Sequence, residues 1–212
     1  MALAQERLDT NMARYIGPKQ RLQRQIGEDL GLKTNALKTA RRLANRPGQH
    51  GAKGHRKLSN YGEQLKEKQK LKYIYGILEK QLHAIYEKAS KNPAATGTAM
   101  LSFLERRIDN VVYRLGWAPT RAAARQLVNH DHFTVNGKKM NIPSYQLKVG
   151  DVLTMKAKTA KIPAVAETMK QEVRLPSWLE AKNGAAHVSK LPNREDVTEK
   201  INEQLIVEYY NR

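Results

Sequence analysis

The chain has 212 residues, with 38 Lys and Arg against 20 Asp and Glu, six His and no Cys. A formal charge of +18 predicts a polyanionic partner. The lack of cysteine excludes disulfides, thiolate metal sites and cysteine nucleophiles. No run approaches the ~18 apolar residues of a membrane span, and the N-terminus has no apolar signal core, so a soluble protein with no membrane partner is expected. The charge is uneven: residues 12–91 carry 19 basic and 6 acidic side chains, residues 92–161 carry 11 and 4, and residues 162–212 carry 7 and 8. The C-terminal part is therefore expected to serve something other than the polyanion.

In chain order, Gln20 to Ile26 and Asn35 to Asn45 read as short helices. The second sets Ala36, Leu37, Ala40, Leu43 and Ala44 on one side and Lys38, Arg41 and Arg42 on the other. The segment from Arg46 to Lys57 has glycines at 48, 51 and 54. A dinucleotide fingerprint would need a strand before it, whereas a helix and a proline stand there, so a flexible basic arm that orders on nucleic acid is predicted. From Asn60, with Glu63 as capping partner, Leu71, Ile74, Tyr75, Leu78, Leu82, Ile85 and Ala89 form one helical stripe. Lys66, Lys68, Lys70 and Lys72 crowd the opposite side, where RNA is the expected partner. Asn92-Pro93 with Gly97 ends this region.

The stretch from Phe103 to Lys158 is the most informative. Leu104, Ile108, Val111, Val112 and Leu115 share one helix face. Pro119 breaks the run, and Thr120 is placed to cap a second helix through Asn129. There Ala123, Ala124, Leu127 and Val128 are expected inside, with Arg121 and Arg125 outside. Asn136-Gly137 between Phe133-Thr134-Val135 and Lys138-Lys139-Met140 signals a type I′ hairpin. A last strand is predicted from Val152 to Lys158, with Leu153, Met155 and Ala157 on one side and Val152, Thr154, Lys156 and Lys158 on the other. The module has one cationic face. Asp109 is expected to pair along its own helix with Arg106 or Arg114.

The tail reads as an amphipathic helix with Glu195, Asp196, Glu199, Glu203 and Glu208 around Val197, Ile201, Leu205 and Tyr209. Its apolar side is expected to pack on the stripe of 71–89, with Trp178 seating the segment that returns to it. No convergent carboxylates, Walker loop, nucleophile elbow or paired metal ligands occur, so neither enzymatic activity nor a metal or cofactor is expected. The predicted fold class is α+β, a helical domain built from both chain ends with an inserted helix-plus-antiparallel-hairpin RNA-binding module. Its divisions are residues 1–57, 58–102 completed by 195–212, 103–167, and a return segment at 168–194.

Residues Phe103 to Lys158 look like a small RNA-binding module shared by a ribosomal protein, certain pseudouridine synthases and one class of tRNA synthetase. The flanks narrow the choice. Met12 to Lys19, Arg46 to Gly51, Leu58 to Gly62, Glu67 to Leu71, Leu104 to Gly116, Val135 to Lys138, Pro176 to Leu179 and Asn202 to Glu208 are together similar to the bacterial small-subunit ribosomal protein number four family. The resemblance implies a cytoplasmic, ribosome-bound protein that binds the 5′ domain of small-subunit rRNA and acts early in assembly. It also implies small-subunit protein five as a neighbour, mRNA nearby where it enters the subunit, and an influence on decoding accuracy. The rival readings are an RNA-modifying enzyme or a ribosome-associated factor carrying the same module. Many members hold zinc with Cys-x-x-Cys where this chain has Gln20 and Gln23, so a zinc-free type is expected. Asp131 stands where the family has Gly, in a turn that favours the left-handed region.

Charge and resemblance together predict RNA contacts from Arg14, Lys19, Arg21, Arg24, Arg46, Gln49, His50, Lys53, His55 and Arg56 in the N-terminal third. Lys68, Lys70 and Lys72 are expected to continue them. Within the module the predicted contacts are Arg106, Arg107, Arg114, Arg121, Arg125, His130, Asn136, Lys138 and Lys139. Glu180, Glu203 and Glu208 are predicted to face the protein neighbour.

Overall fold

A computed structural model describes residues 15–51, 57–92, 95–171, 173–182 and 184–212. Its helices are α1 (Lys19–Ile26), α2 (Ala36–Leu43), α3 (Asn60–Tyr75), α4 (Glu79–Ser90), α5 (Thr96–Glu105), α6 (Ile108–Arg114), α7 (Arg121–Asn129), α8 (Ala157–Ala160), α9 (Pro163–Met169) and α10 (Glu203–Tyr210). The strands are β1 (Phe133–Val135), β2 (Lys138–Lys139), β3 (Val152–Met155), β4 (Leu179–Lys182) and β5 (Ala185–Val188). The α+β class follows. Two compact units result: the described residues up to Lys88 with Gln204–Arg212, and Ala89–Glu203.

In the first unit, α1 ends where Gly27, at φ 82°, enters the left-handed region and its N–H reaches the Gln23 carbonyl. Leu22, Gln23 and Ile26 are buried. The Asn35 side chain caps α2 at the Lys38 N–H, 2.9 Å away. The predicted face of α2 is wrong: Leu37 is 78% exposed and Thr39 is buried instead. Thr39 can be inside because its hydroxyl donates to the Asn35 carbonyl.

The long stripe over 71–89 is interrupted. Gly76 at φ 62° closes α3, with the Ile77 N–H reaching back to the Lys72 carbonyl at 3.2 Å. The turn keeps Leu71, Ile74, Tyr75, Leu82 and Ile85 buried but seats Ile77, not Leu78, in the core. The N-cap of α3 is Ser59, one residue before the expected Asn60.

The second unit corrects another apolar run. The single helix expected from Leu104 to Leu115 splits at Arg106–Arg107, where Arg107 is extended and bridges Gln146. The Ile108 N–H bonds the Tyr145 carbonyl at 2.9 Å, and the Leu147 N–H bonds the Arg106 carbonyl at 2.9 Å. Backbone from the hairpin side thus replaces helical bonds without disturbing the apolar phase. Thr120 caps α7 at the Ala123 N–H, as expected. Asn136 (φ 50°) and Gly137 (φ 76°) make the predicted I′ turn, pairing Val135 with Lys138. Asp131 takes φ 60°.

The sheet is antiparallel throughout, in order β2-β1-β3-β5-β4. Its last strand from the module is shorter than predicted, since Lys156 leaves β3 and starts α8. The return segment is more than packing, because its β4–β5 hairpin extends the sheet. Trp178 is fully buried in the core with Ile108, Val112, Phe133, Leu147 and Leu153, and Trp117 stacks on Phe133 at 5.8 Å. Each such side chain contributes about 1.5–3 kcal/mol by leaving water.

The tail is not one helix. Residues Arg194–Asp196 form a single 3-10 turn closed by a capping box between Asn193 and Asp196. The chain then runs irregularly to α10, which buries Ile206 where Leu205 and Tyr209 were expected to lead.

Candidate nucleic-acid interface

In the first unit, folding gathers cations from well-separated segments. Arg21 and Arg24 from α1, Arg42 from α2, Arg46 from the following turn and Lys66 from α3 line one open groove of about 910 Å³, and among the described residues no acid lines it. A second groove shares Pro18, Gln20 and Arg42 and adds Lys19, Lys33 and Lys38, again with no acid among the described residues that line it. Arg21, Lys19, Arg24 and Arg46 were legible from charge. Lys66 was read on the cationic side of its helix, while Arg42, Lys33 and Lys38 were missed, since only the fold brings them to the same side.

The segment after α2 is a folded turn through Gly51, contrary to a wholly flexible arm. Arg24 holds it, donating from Nε to the Asn45 carbonyl at 2.7 Å and from Nη2 to the Arg46 carbonyl at 2.9 Å. Gly48 takes φ 100°, and the Gly51 N–H returns to the Gly48 carbonyl. Gln49 and His50 are exposed on this turn. Arg14, Lys53, His55 and Arg56 lie outside the described residues.

Three lysines expected on the outer face of α3 have internal partners. Lys68 is 4% exposed, 2.8 Å from Glu79, with its ammonium 4.2 Å from the Tyr209 ring centroid. Lys72 meets the other Glu79 oxygen at 3.2 Å, and buried Lys70 pairs with Glu28 at 2.7 Å. Tyr210 donates to Glu79 at 2.9 Å. Burial alone would raise the Glu79 pKa, but Lys68, Tyr210 and Lys72 hold it below the ordinary carboxylate value. This cluster ties α10 to α3 and α4.

The module's arginines form a second internal network. Arg107 grips Asp109 with two bonds, at 3.1 and 2.8 Å, and Arg125 reaches the same carboxylate at 3.3 Å. The expected Asp109 partners, Arg106 and Arg114, point elsewhere. Arg106 donates to the Leu147 carbonyl at 2.8 Å, while Arg114 is paired with fully buried Glu105 at 2.7 Å. Arg121 is not outside: it is 9% exposed, donates to Asn110 Oδ1 at 2.8 Å, and pairs with Glu199, which also meets Arg114. Its guanidinium lies 4.4 Å from the Tyr113 ring centroid. Burial raises the Glu199 pKa, but the charges of Arg121 and Arg114 outweigh it and bring the group down to about 2.

The module's exposed positive charge lies elsewhere. Lys138 and Lys139 project from β2, and His130 is exposed at the end of α7. Asn136 spends its amide on the turn, accepting from the Val152 N–H and donating to Asp151. Lys156, Lys158 and His132 join this patch. Burial, then the charges of Lys158 and His130, lowers the His132 pKa, and Lys139 at 2.7 Å lowers that of Asp131. These three were missed as contacts, although Lys156 and Lys158 were read on the cationic strand face.

Of the three acids, Glu180 is exposed on β4, Glu208 accepts from Gln64 at 3.0 Å, and Glu203 lies 3.2 Å from Arg194. A zinc knuckle does not fit the N-terminal pair. Gln20 accepts from Arg42, and buried Gln23 donates to Asp29 at 2.6 Å. Among the described residues no cluster of three His, Cys, Asp or Glu could hold a metal. Elemental analysis of purified protein should therefore find well under one zinc per chain, and chelator should leave nucleic-acid affinity unchanged. One tightly held equivalent would refute this.

The capped helix pair followed by the hairpin is an S4 domain, and residues 106–153 match the family of that description. Residues 14–105 match the family described as Ribosomal protein S4/S9 N-terminal domain. The chain is 51% identical over 209 residues to small ribosomal subunit protein uS4 of Geobacter sulfurreducens, covering 95% of this chain and all of that protein. Against the protein of the same name from Chloroflexus aurantiacus it is 48% identical over 208 residues, with the same coverage. The chain belongs to the uS4 family of small ribosomal subunit proteins.

Proposed function

We propose that this protein is a structural, non-enzymatic component of the small ribosomal subunit, ribosome-bound in the cytoplasm, that binds the 5′ domain of small-subunit rRNA and nucleates assembly there. The observation that carries this is the pair of adjoining grooves on the first unit, lined by cations and by no acid among the described residues. Arg21, Arg42, Arg46, Lys66, Lys19 and Lys38 supply phosphate contacts there, and Lys138, Lys139, Lys156 and Lys158 supply them on the second unit. Glu180, exposed on an edge strand, suits a basic protein neighbour, for which small-subunit protein five is the proposed identity. mRNA near its entry region of the subunit and an effect on decoding accuracy complete the reading.

Affinity of the full chain for a transcribed 5′-domain fragment tests the main claim. With roughly six to ten phosphate contacts it should fall about 10³–10⁵-fold between ~50 and ~200 mM salt. A near-flat dependence would sink it. Density-gradient sedimentation separates a component, which stays with small subunits through a high-salt wash, from an associated factor or enzyme, which leaves.

A further inference from the structure

The turn that joins α7 to β1 carries a charge that its own closure does not use. Backbone bonds close it: the Asp131 N–H reaches the Val128 carbonyl at 3.0 Å, and the His132 N–H reaches the Leu127 carbonyl at 3.2 Å. Such a closure needs a left-handed residue just past the helix, a place Asp131 fills at φ 60° and glycine or asparagine would fill as well. Neither carboxylate oxygen supports the turn. Oδ1 has no hydrogen-bond partner among the described residues, and Oδ2 lies 2.7 Å from the Lys139 ammonium on β2. The Lys156 N–H donates to the His132 carbonyl at 3.0 Å, which brings the start of α8 to the same turn. Hydrogen bonding to Lys139, and then the charges of Lys139, Lys156 and Lys158, hold the Asp131 carboxyl below its usual value. An acid thus stands among cations suited to phosphate.

We propose that Asp131 is a built-in competitor of phosphate: its carboxylate holds Lys139 as an RNA phosphate would, and so lowers the affinity of the module's cationic patch for polyanions in general. The pair lies at the surface, with Lys139 62% and Asp131 28% exposed, so a phosphate can reach the ammonium and take the carboxylate's place. The lysine then leaves one anion for another, and the net gain is small. The displaced carboxylate also repels phosphates drawn to Lys156 and Lys158. Backbone charge is common to every RNA, so the penalty falls alike on all sequences. Complexes held by this patch alone become weak, whereas an RNA that also engages the first unit's grooves keeps enough contacts to stay bound. Asp131 is therefore a repulsive element that raises selectivity at some loss of affinity. This inference rests on the RNA-binding function proposed above.

The test measures the affinity of the full chain for two RNAs, a transcribed 5′-domain fragment and poly(U), as salt is varied. Asp131→Asn and Asp131→Gly both suit the left-handed turn, so their melting temperatures should stay close to wild type. Each should bind both RNAs about fivefold tighter. The slope of log affinity against log salt should steepen by roughly 0.7–0.9, as one further contact forms. In a Lys139→Ala chain the same Asp131→Asn change should gain about twofold at most, acting only through Lys156 and Lys158. Unchanged affinity and slope in both variants, a gain from Asp131→Gly without one from Asp131→Asn, or the full gain in the absence of Lys139 would each overturn the inference. Failure of the wild-type chain to bind the 5′-domain fragment would instead overturn the functional reading beneath it, while the poly(U) affinities would still judge Asp131.

Discussion

Arg121→Ala should lower the unfolding free energy of the second unit by about 3–5 kcal/mol, as measured by denaturant melts of the full chain. The change removes the side chain between Asn110 and Glu199 and leaves a largely buried carboxylate with less compensation. Sequence reasoning placed Arg121 and Arg125 on an outer face, where a double alanine change would weaken RNA binding and spare the melting temperature. Their burial reverses that expectation: stability falls first. Arg125→Ala should cost less, because Arg107 still grips Asp109. Acid should mimic the substitution. The Glu199 pKa is depressed from 4.5 to about 2 in the folded chain. Its contribution, roughly 3 kcal/mol, is complete above the unfolded value and is lost as pH falls from ~4.5 towards 2. Glu199→Gln should flatten that limb of the pH–stability curve, and an unaltered limb would show that Glu199 is not its source.

Gly51→Ala should damage the first unit's interface out of proportion to its size. A Cβ on Gly51 would collide with the Arg46 carbonyl oxygen, a backbone atom that no rotamer change can move. That oxygen accepts from Arg24 Nη2, so relieving the collision breaks the clamp between α1 and the turn and carries Arg46 away from Arg21 and Arg42. The expected cost is about 1–3 kcal/mol in stability, with rRNA affinity falling at least about tenfold as phosphate contacts are lost. Gly48→Ala serves as the control, for it meets φ 100° but no atom within 4 Å. Equal effects from the two changes would mean that backbone strain, not the Arg24–Arg46 clamp, governs the turn.

What the sequence revealed and what it hid divide along a physical line. The Asn136-Gly137 turn and the Thr120 cap were legible because each is determined within a few residues, and the left-handed Asp131 came from the resemblance. The breaks at Gly76 and at Arg106–Arg107 were not, since the apolar phase runs on across both. At the second, the cause is backbone from Tyr145 to Leu147. Strands β4 and β5 were missed because Leu179-Glu180-Ala181-Lys182 and Ala185-Ala186-His187-Val188 carry little β preference of their own, and pairing with β3 imposes it. Among candidate contacts, charge found Arg21 and Arg46. It could not tell that Arg114 and Arg121 would turn inward, because Glu199, the acid they share, lies far along the chain.

That distance has a consequence for synthesis. Glu199 follows Arg114 by 85 residues and Arg121 by 78. At translation rates of about 5–20 residues per second, the carboxylate is made roughly 4–17 s after the first of its arginines. During that interval the nascent module can close its hairpin and bury much of its apolar core, yet Arg121 lacks the acid that later pairs with it, and Arg114 has Glu105 but not Glu199. The emerging chain is therefore more cationic than the finished protein, and its final residues quench a surface that its earlier ones expose.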